Sequence, residues 1–228
     1  MLRANQTSEY IFKNNINYVF SSYDYFLILP SIITFLFGFF YLKNHKHFKI
    51  ISNYIHLIHA IIVIVGYQFN QYEMIVNIST GFFIADIIKL IFIDRPSQKI
   101  PFLIHHFIGI SVLYLVNQNF YNLKNLGMNI FYALEFSNIP MYINYLIIKT
   151  SNNKYLLLFV TFIQLLWYSY FRLFIFTVEI IQSKEMLLKA NSFSVYSFTS
   201  IIFTMGVYWS CSLFVKISQL LYKISKLD

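Results

Sequence analysis

The chain reads as all-α and polytopic, a membrane protein of about seven transmembrane helices, and three observations carry that reading. Hydrophobic residues make up 58% of its 228 residues and charged residues only 11%, against roughly 25% charged in ordinary soluble domains. Seven apolar stretches approach the roughly 20 residues that a helix needs to cross a bilayer. A few ionisable residues stand inside those stretches, among them Asp86 with Lys89, His105 with His106, Glu135, and Arg172. Each is costly to hold in hydrocarbon and needs a partner, a water-filled cavity or a function.

The predicted spans cover 25–42, 54–69, 74–93, 100–116, 126–148, 155–181 and 193–215. The second and fourth are short. The first lies too far from the start, without a small-residue cleavage site, to read as a signal peptide. The chain divides into a lumenal segment 1–24, a first transmembrane helix with its basic cytosolic loop over 25–49, a membrane domain over 50–215 and a basic cytosolic tail over 216–228. The single cysteine, Cys211, allows no intramolecular disulfide.

Orientation follows from Lys and Arg in the loops. Lys43, Lys46, Lys49, Arg95, Lys99, Lys149, Lys154, Lys223 and Lys226 fall on one side, and Arg3, Lys13, Lys124, Lys184 and Lys189 on the other. The richer side is expected in the cytosol, which puts the N-terminus in the lumen and the C-terminus in the cytosol. The formal charge of +8 needs no nucleic acid, because cytosolic Lys beside anionic headgroups accounts for much of it. The expected partners are membrane lipids.

Helical rise of about 1.5 Å per residue lets depths be compared between spans. Asp86, Lys89, His105 and His106 are expected to meet in the cytosolic half. Asp86 and Lys89, at i,i+3, share a face and can neutralise one another. Adjacent histidines point about 100° apart, so one can face a cavity while the other bonds a neighbouring helix. Imidazole titrates near neutrality and can act as acid, base or nucleophile. His56 and His59 also share a face near the same boundary. No Cys or acidic residue is spaced to complete a zinc site, so no metal and no resident cofactor is expected, and these two histidines read as interfacial packing.

Glu135 and Arg172 come to equal depth in the outer half and read as a structural ion pair. Gln164, Tyr168, Arg172 and Glu179 form a polar stripe on the sixth span. The fifth span carries Ser137, Asn138, Pro140 and Asn144. Pro140 removes one helix hydrogen bond and frees the carbonyl of Phe136, which a polar neighbour or water must satisfy.

Taken together, the ordered set of Asp86 with Lys89, His105-His106 with Gly109, Glu135 through Pro140 with Asn144, and Arg172 after Trp167 resembles the TLC domain family. This membrane domain is shared by translocating-chain-associating proteins, ceramide synthases and the TLC-domain-containing proteins. The resemblance implies a six-helix bundle around a lipid-accessible cavity, here with one further helix, in the endoplasmic reticulum or a related membrane. In ceramide synthases the paired histidines are followed by a His-Asp pair and another Asp, whereas this chain has Leu134-Glu135-Phe136-Ser137-Asn138 there. It is therefore more similar to the branch that is not ceramide synthase, whose members are linked to phospholipid composition, lipid sensing or trafficking.

Two functions follow. In a lipid-handling protein, Asp86, Lys89, Ser137, Asn138 and Asn144 would contact the headgroup. In an acyltransferase, His105 or His106 would act as base or acyl acceptor, with acyl-CoA as substrate. A transporter is disfavoured, since no internal repeat or matched pair of broken helices is visible. Asn5-Gln6-Thr7 is a glycosylation sequon on the expected lumenal side. Translation with microsomes should give a glycosylated product that shifts to lower mass on deglycosylation and is lost in Asn5→Gln; an unmodified Asn5 on a protease-accessible N-terminus would reverse the topology.

Overall fold

The computed structural model describes residues 22–45, 47–92, 99–117, 124–190 and 193–226. Among them the chain forms seven long helices and no strand. They are α1 (Ser22–Leu42), α2 (Phe48–Gln68), α3 (Tyr72–Phe92), α4 (Lys99–Asn117), α5 (Lys124–Thr150), α6 (Lys154–Gln182) and α8 (Phe193–Ile224), with a short α7 (Lys184–Ala190) before the last. This is the all-α, polytopic architecture expected from the composition. By length and apolarity α2, α3, α6 and α8 can each cross a membrane, while α1 and α4 hold the shorter apolar stretches Ile28–Leu42 and Ile100–Tyr114. The sequon, Arg3, Lys13, Lys46 and Arg95 lie outside the described residues.

Burial runs opposite to that of a soluble protein. Phe37, Phe159, Phe174 and Phe214 are exposed, whereas Asp86, Lys89, His106, Glu135, Asn144 and Arg172 are buried. A bilayer solvates the first set, and the second must find its hydrogen bonds inside the bundle.

Short turns set the neighbours. Between α2 and α3, Asn70 takes a positive φ of 55°, a left-handed conformation that Asn tolerates better than most residues. The amide of Gln71 then caps α2 on the Gly66 carbonyl at 2.8 Å. At the start of α6, the Asn153 side chain accepts from the amides of Tyr155 and Leu156 at 3.0 and 3.1 Å, satisfying donors that a helix start leaves open.

Around the bundle, α2 packs on α3 and α5, α3 on α4, α5 on α4 and α6, and α6 on α8, while α8 touches α4 only sparingly. Six helices thus close a ring, and α1 lies outside it against α3. Gly81 permits that approach: a Cβ there would sit 2.6 Å from the Ser31 Cβ and 3.0 Å from the Ile28 carbonyl oxygen. One apolar cluster joins α1 through α5, including Phe39, Val63, Phe82, Phe83, Leu113 and Phe131. A second joins Ile108, Ile130, Leu134, Phe176, Leu187 and Ile202. It draws on the early part of α5 and α8 and the late part of α6, and so fills one end of the ring.

The carbonyl that Pro140 frees is satisfied as the sequence requires. The Trp167 indole donates to the Phe136 carbonyl at 3.1 Å, pinning α6 to α5 at the proline. Trp167→Phe should cost about 1 kcal/mol in unfolding free energy, and the cost should shrink in a Pro140→Ala background, where the restored amide takes over the carbonyl. Chemical unfolding of the four members of this cycle in detergent checks the coupling; equal costs in both backgrounds would refute it.

Candidate functional site

At the other end of the ring lies a cavity of about 340 Å³, room for roughly ten waters at about 30 Å³ each. Every ring helix contributes to it, and none of the described residues of α1 lines it. His56 comes from α2, Asp86 from α3, His105 and His106 from α4, Glu135 and Asn138 from α5, Gln164, Tyr168 and Arg172 from α6, and Trp209 and Lys216 from α8. Aromatic and aliphatic walls, among them Phe82, Phe102, Met141 and Leu213, separate these polar groups.

Asp86 is the hub. Its Oδ1 accepts from Lys89 Nζ at 2.7 Å and lies 3.1 Å from His56 Nε2, and its Oδ2 accepts from His106 Nε2 at 2.7 Å. The two imidazoles differ in what their second nitrogen does. His56 Nδ1 lies 2.6 Å from the Ser52 carbonyl, an acceptor, so that nitrogen carries a proton. His106 Nδ1 is buried and has no hydrogen-bond partner among the described residues. With Nε2–H held by the carboxylate, the Nδ1 lone pair of a neutral His106 is left available. His105 faces the cavity beside it, in edge contact with the Trp209 ring at 5.7 Å.

Arg172 sits in a π-helical turn, Tyr170–Ile175, within α6, a departure often found at functional sites. It is only 2% exposed. Its Nε donates to Ser137 Oγ at 2.8 Å, and its Nη2 to Asn138 Oδ1 at 3.0 Å and the Leu134 carbonyl at 3.2 Å. The Tyr168 ring lies 5.2 Å from the guanidinium carbon. The ion pair expected with Glu135 is therefore replaced by neutral acceptors. Leu134, Ser137 and Asn138 recur at i, i+3 and i+4 and share one face of α5, whereas Glu135 points about 100° away. Its carboxylate turns to α2, 3.7 Å from His59 Nδ1.

The reading of His56 and His59 as interfacial packing is also corrected. His56 meets Asp86, and His59 is fully buried, with Nε2 3.0 Å from Ser79 Oγ and its ring stacked on Phe82. Depth along the helices separates Asp86 and the histidines from Glu135 and Arg172, yet all of them line one cavity, because a ring brings different levels into one space. Of the residues expected at a headgroup, Asp86 and Asn138 line the cavity. Lys89 lies behind Asp86, Ser137 is held by Arg172, and Asn144 donates to Thr161 and Gln164. Lys216 was not singled out in the sequence, where it reads as one more basic residue near the tail. Among the described residues, no group of three or more His, Cys, Asp or Glu side chains is arranged to hold a metal ion.

Compared with known families, residues 24–221 match the model of the TLC domain, a span that includes nearly all of α1 and of α8. Comparison with curated proteins and with solved structures returned no match.

Removing one member of a buried ion pair strands the other, at a cost of about 3 to 5 kcal/mol. Asp86→Ala should therefore destabilise the protein more than the double variant Asp86→Leu/Lys89→Met, which removes both members of this pair. Unfolding in detergent would show this; a double variant no more stable than Asp86→Ala would mean that the histidines, not Lys89, set the need for the carboxylate.

Proposed function

The chain belongs to the TLC domain family, its model covering most of the sequence, and from that premise we propose that it binds a membrane lipid in the ring cavity. As a multi-pass membrane protein it would handle or sense lipids with the members of the family that are not ceramide synthases, in the endoplasmic reticulum or a related membrane. The observation that carries this reading is the cavity itself. Its walls are apolar, and two residues lining it, His106 and Tyr168, each have a buried polar atom, Nδ1 and the hydroxyl, with no hydrogen-bond partner among the described residues. Buried polar groups normally find partners, and a lipid headgroup would supply them. The expected cytosolic orientation of this end would let a headgroup arrive from the cytosolic leaflet.

One specific observation favours acyl transfer as a second reading. The Asp86–His106 pair holds Nε2–H and leaves Nδ1 as the basic atom, the arrangement a general base requires. In that reaction His106 Nδ1 would take the proton of a lipid amine or hydroxyl as it attacks the thioester carbonyl of acyl-CoA. The proton would then pass to the leaving thiolate, completing an amide or ester and free coenzyme A.

Purified protein should carry a stoichiometric lipid, identified by extraction and mass spectrometry, and the His105→Ala/His106→Ala variant should carry less. Microsomes bearing the two proteins, supplied with acyl-CoA and a sphingoid base, separate the readings. An acylated product that depends on the histidines establishes transfer, whereas bound lipid without product leaves lipid handling. A protein with neither lipid nor product would overturn both.

A further inference from the structure

The charges around the cavity do not balance. Arg172, Lys216, Asp86 and Glu135 line it, and Lys89 is joined to Asp86 from behind. Among the described residues, three cationic side chains, Arg172, Lys216 and Lys89, stand with two carboxylates, leaving one positive side chain over. The contacts show where it lies. Lys89 is placed on Asp86, and Arg172 is held by Ser137, Asn138 and the Leu134 carbonyl. The Lys216 ammonium has no hydrogen bond or ion pair with any described residue.

Its position suits a ligand better than a stray surface charge. Trp209, Ser212, Leu213 and Lys216 all line the cavity, at the spacing of one helix face, so Lys216 belongs to the inward side of α8. It lies eight residues before the end of that helix at Ile224, about 12 Å along the axis. Ser212 is exposed although it lines the cavity, which marks this stretch as the wall that opens to the surroundings. The neighbouring seam between α4 and α8 is lightly packed and is spanned by the Phe102 and Trp209 rings, 6.1 Å apart. An ammonium group at an apolar mouth is attracted to an anion far more strongly than the same group in water.

We propose that the ligand of this cavity is an anionic amphiphile, an acyl chain with a carboxylate or phosphate head, and that Lys216 anchors its charge. The proposal rests on the lipid-binding reading and adds the chemical class of the lipid. The apolar walls take the chain, while His106 Nδ1 and the Tyr168 hydroxyl remain for further polar atoms of the head.

Trp209 stands on the same face as Lys216 and reports directly on the site. The full-length protein is placed in phosphatidylcholine nanodiscs, and tryptophan quenching is titrated with a brominated fatty acid, a phosphatidate with brominated chains and the brominated fatty alcohol. Trp209→Phe identifies the quenching that arises in the cavity. At least one of the anionic probes should bind saturably and about tenfold more tightly than the alcohol, as a charge-assisted contact implies. Whichever anion binds identifies the head as carboxylate or phosphate. The preference should vanish in Lys216→Gln, persist in Lys216→Arg and be untouched in Lys223→Gln, while the alcohol affinity of Lys216→Gln reports that the cavity is still formed. If the alcohol binds as tightly as the anions, or Lys223→Gln weakens the anions as much as Lys216→Gln, the anionic assignment falls and the lipid cavity stands. If no probe quenches saturably, the assignment and the cavity's lipid role fall together.

Discussion

A carboxylate that must stay inside an apolar bundle is the constraint around which this molecule is arranged. A charge at the centre of a membrane helix costs roughly 3 kcal/mol even on lenient scales, and Asp86 meets that cost with Lys89 from its own helix, His56 from α2 and His106 from α4. Those contacts tie three neighbouring helices at one point, and each requires a side chain to turn inward. Arg172 does the same on the far side, drawing α6 to α5 through a hydroxyl, an amide and a backbone carbonyl. The space between these two satisfied charges is the cavity, so its polar lining is a by-product of how the bundle holds itself together as well as its means of recognition.

The fold was legible because hydropathy and helix length are local properties, and a bilayer imposes both. The seven helices, the neutralisation of Asp86 by Lys89 and the orphaned Phe136 carbonyl could all be reasoned from residues within one or two turns of each other. What escaped was lateral. Depth along an axis says nothing about which helices are neighbours, so Glu135 and Arg172 looked paired, when the side-chain direction on α5 gives Arg172 to Ser137 and Asn138 and sends Glu135 toward His59. His56 and His59 looked interfacial because their partners, Asp86, Ser79 and Glu135, lie on other helices. Lys216 carries no local signal, since a lysine near a basic tail reads as a headgroup contact until the ring places it on the cavity.

The end of the bundle opposite the cavity has its own polar fastening. The Tyr67 hydroxyl donates to Asn129 Oδ1 at 2.6 Å, and Asn129 Nδ2 donates to Glu179 Oε2 at 3.1 Å. This chain crosses α2, α5 and α6 where the second apolar cluster ends. Polar bonds inside a membrane bundle add about 1 kcal/mol or less each, yet a continuous set fixes helix rotation in a way that interchangeable apolar contacts do not. The closed end is thus held in register, whereas the seam between α4 and α8 at the cavity end has mainly ring contacts and is the more compliant boundary.

The π turn at Tyr170–Ile175 makes α6 a helix in two phases. A π turn is an α-helix with one residue too many, so the part before it and the part after it keep separate angular origins. Gln164, Tyr168 and Arg172 are set by the first, and Phe176 and Glu179 by the second. A helix that lost one residue within this turn could relax to regular α geometry and leave everything beyond it facing nearly the same way, whereas one that closed to α geometry at full length would rotate everything beyond it by about 100°. The cavity and the closed end are therefore kept in step by the widened turn itself, which takes up a residue that a regular helix would turn into rotation.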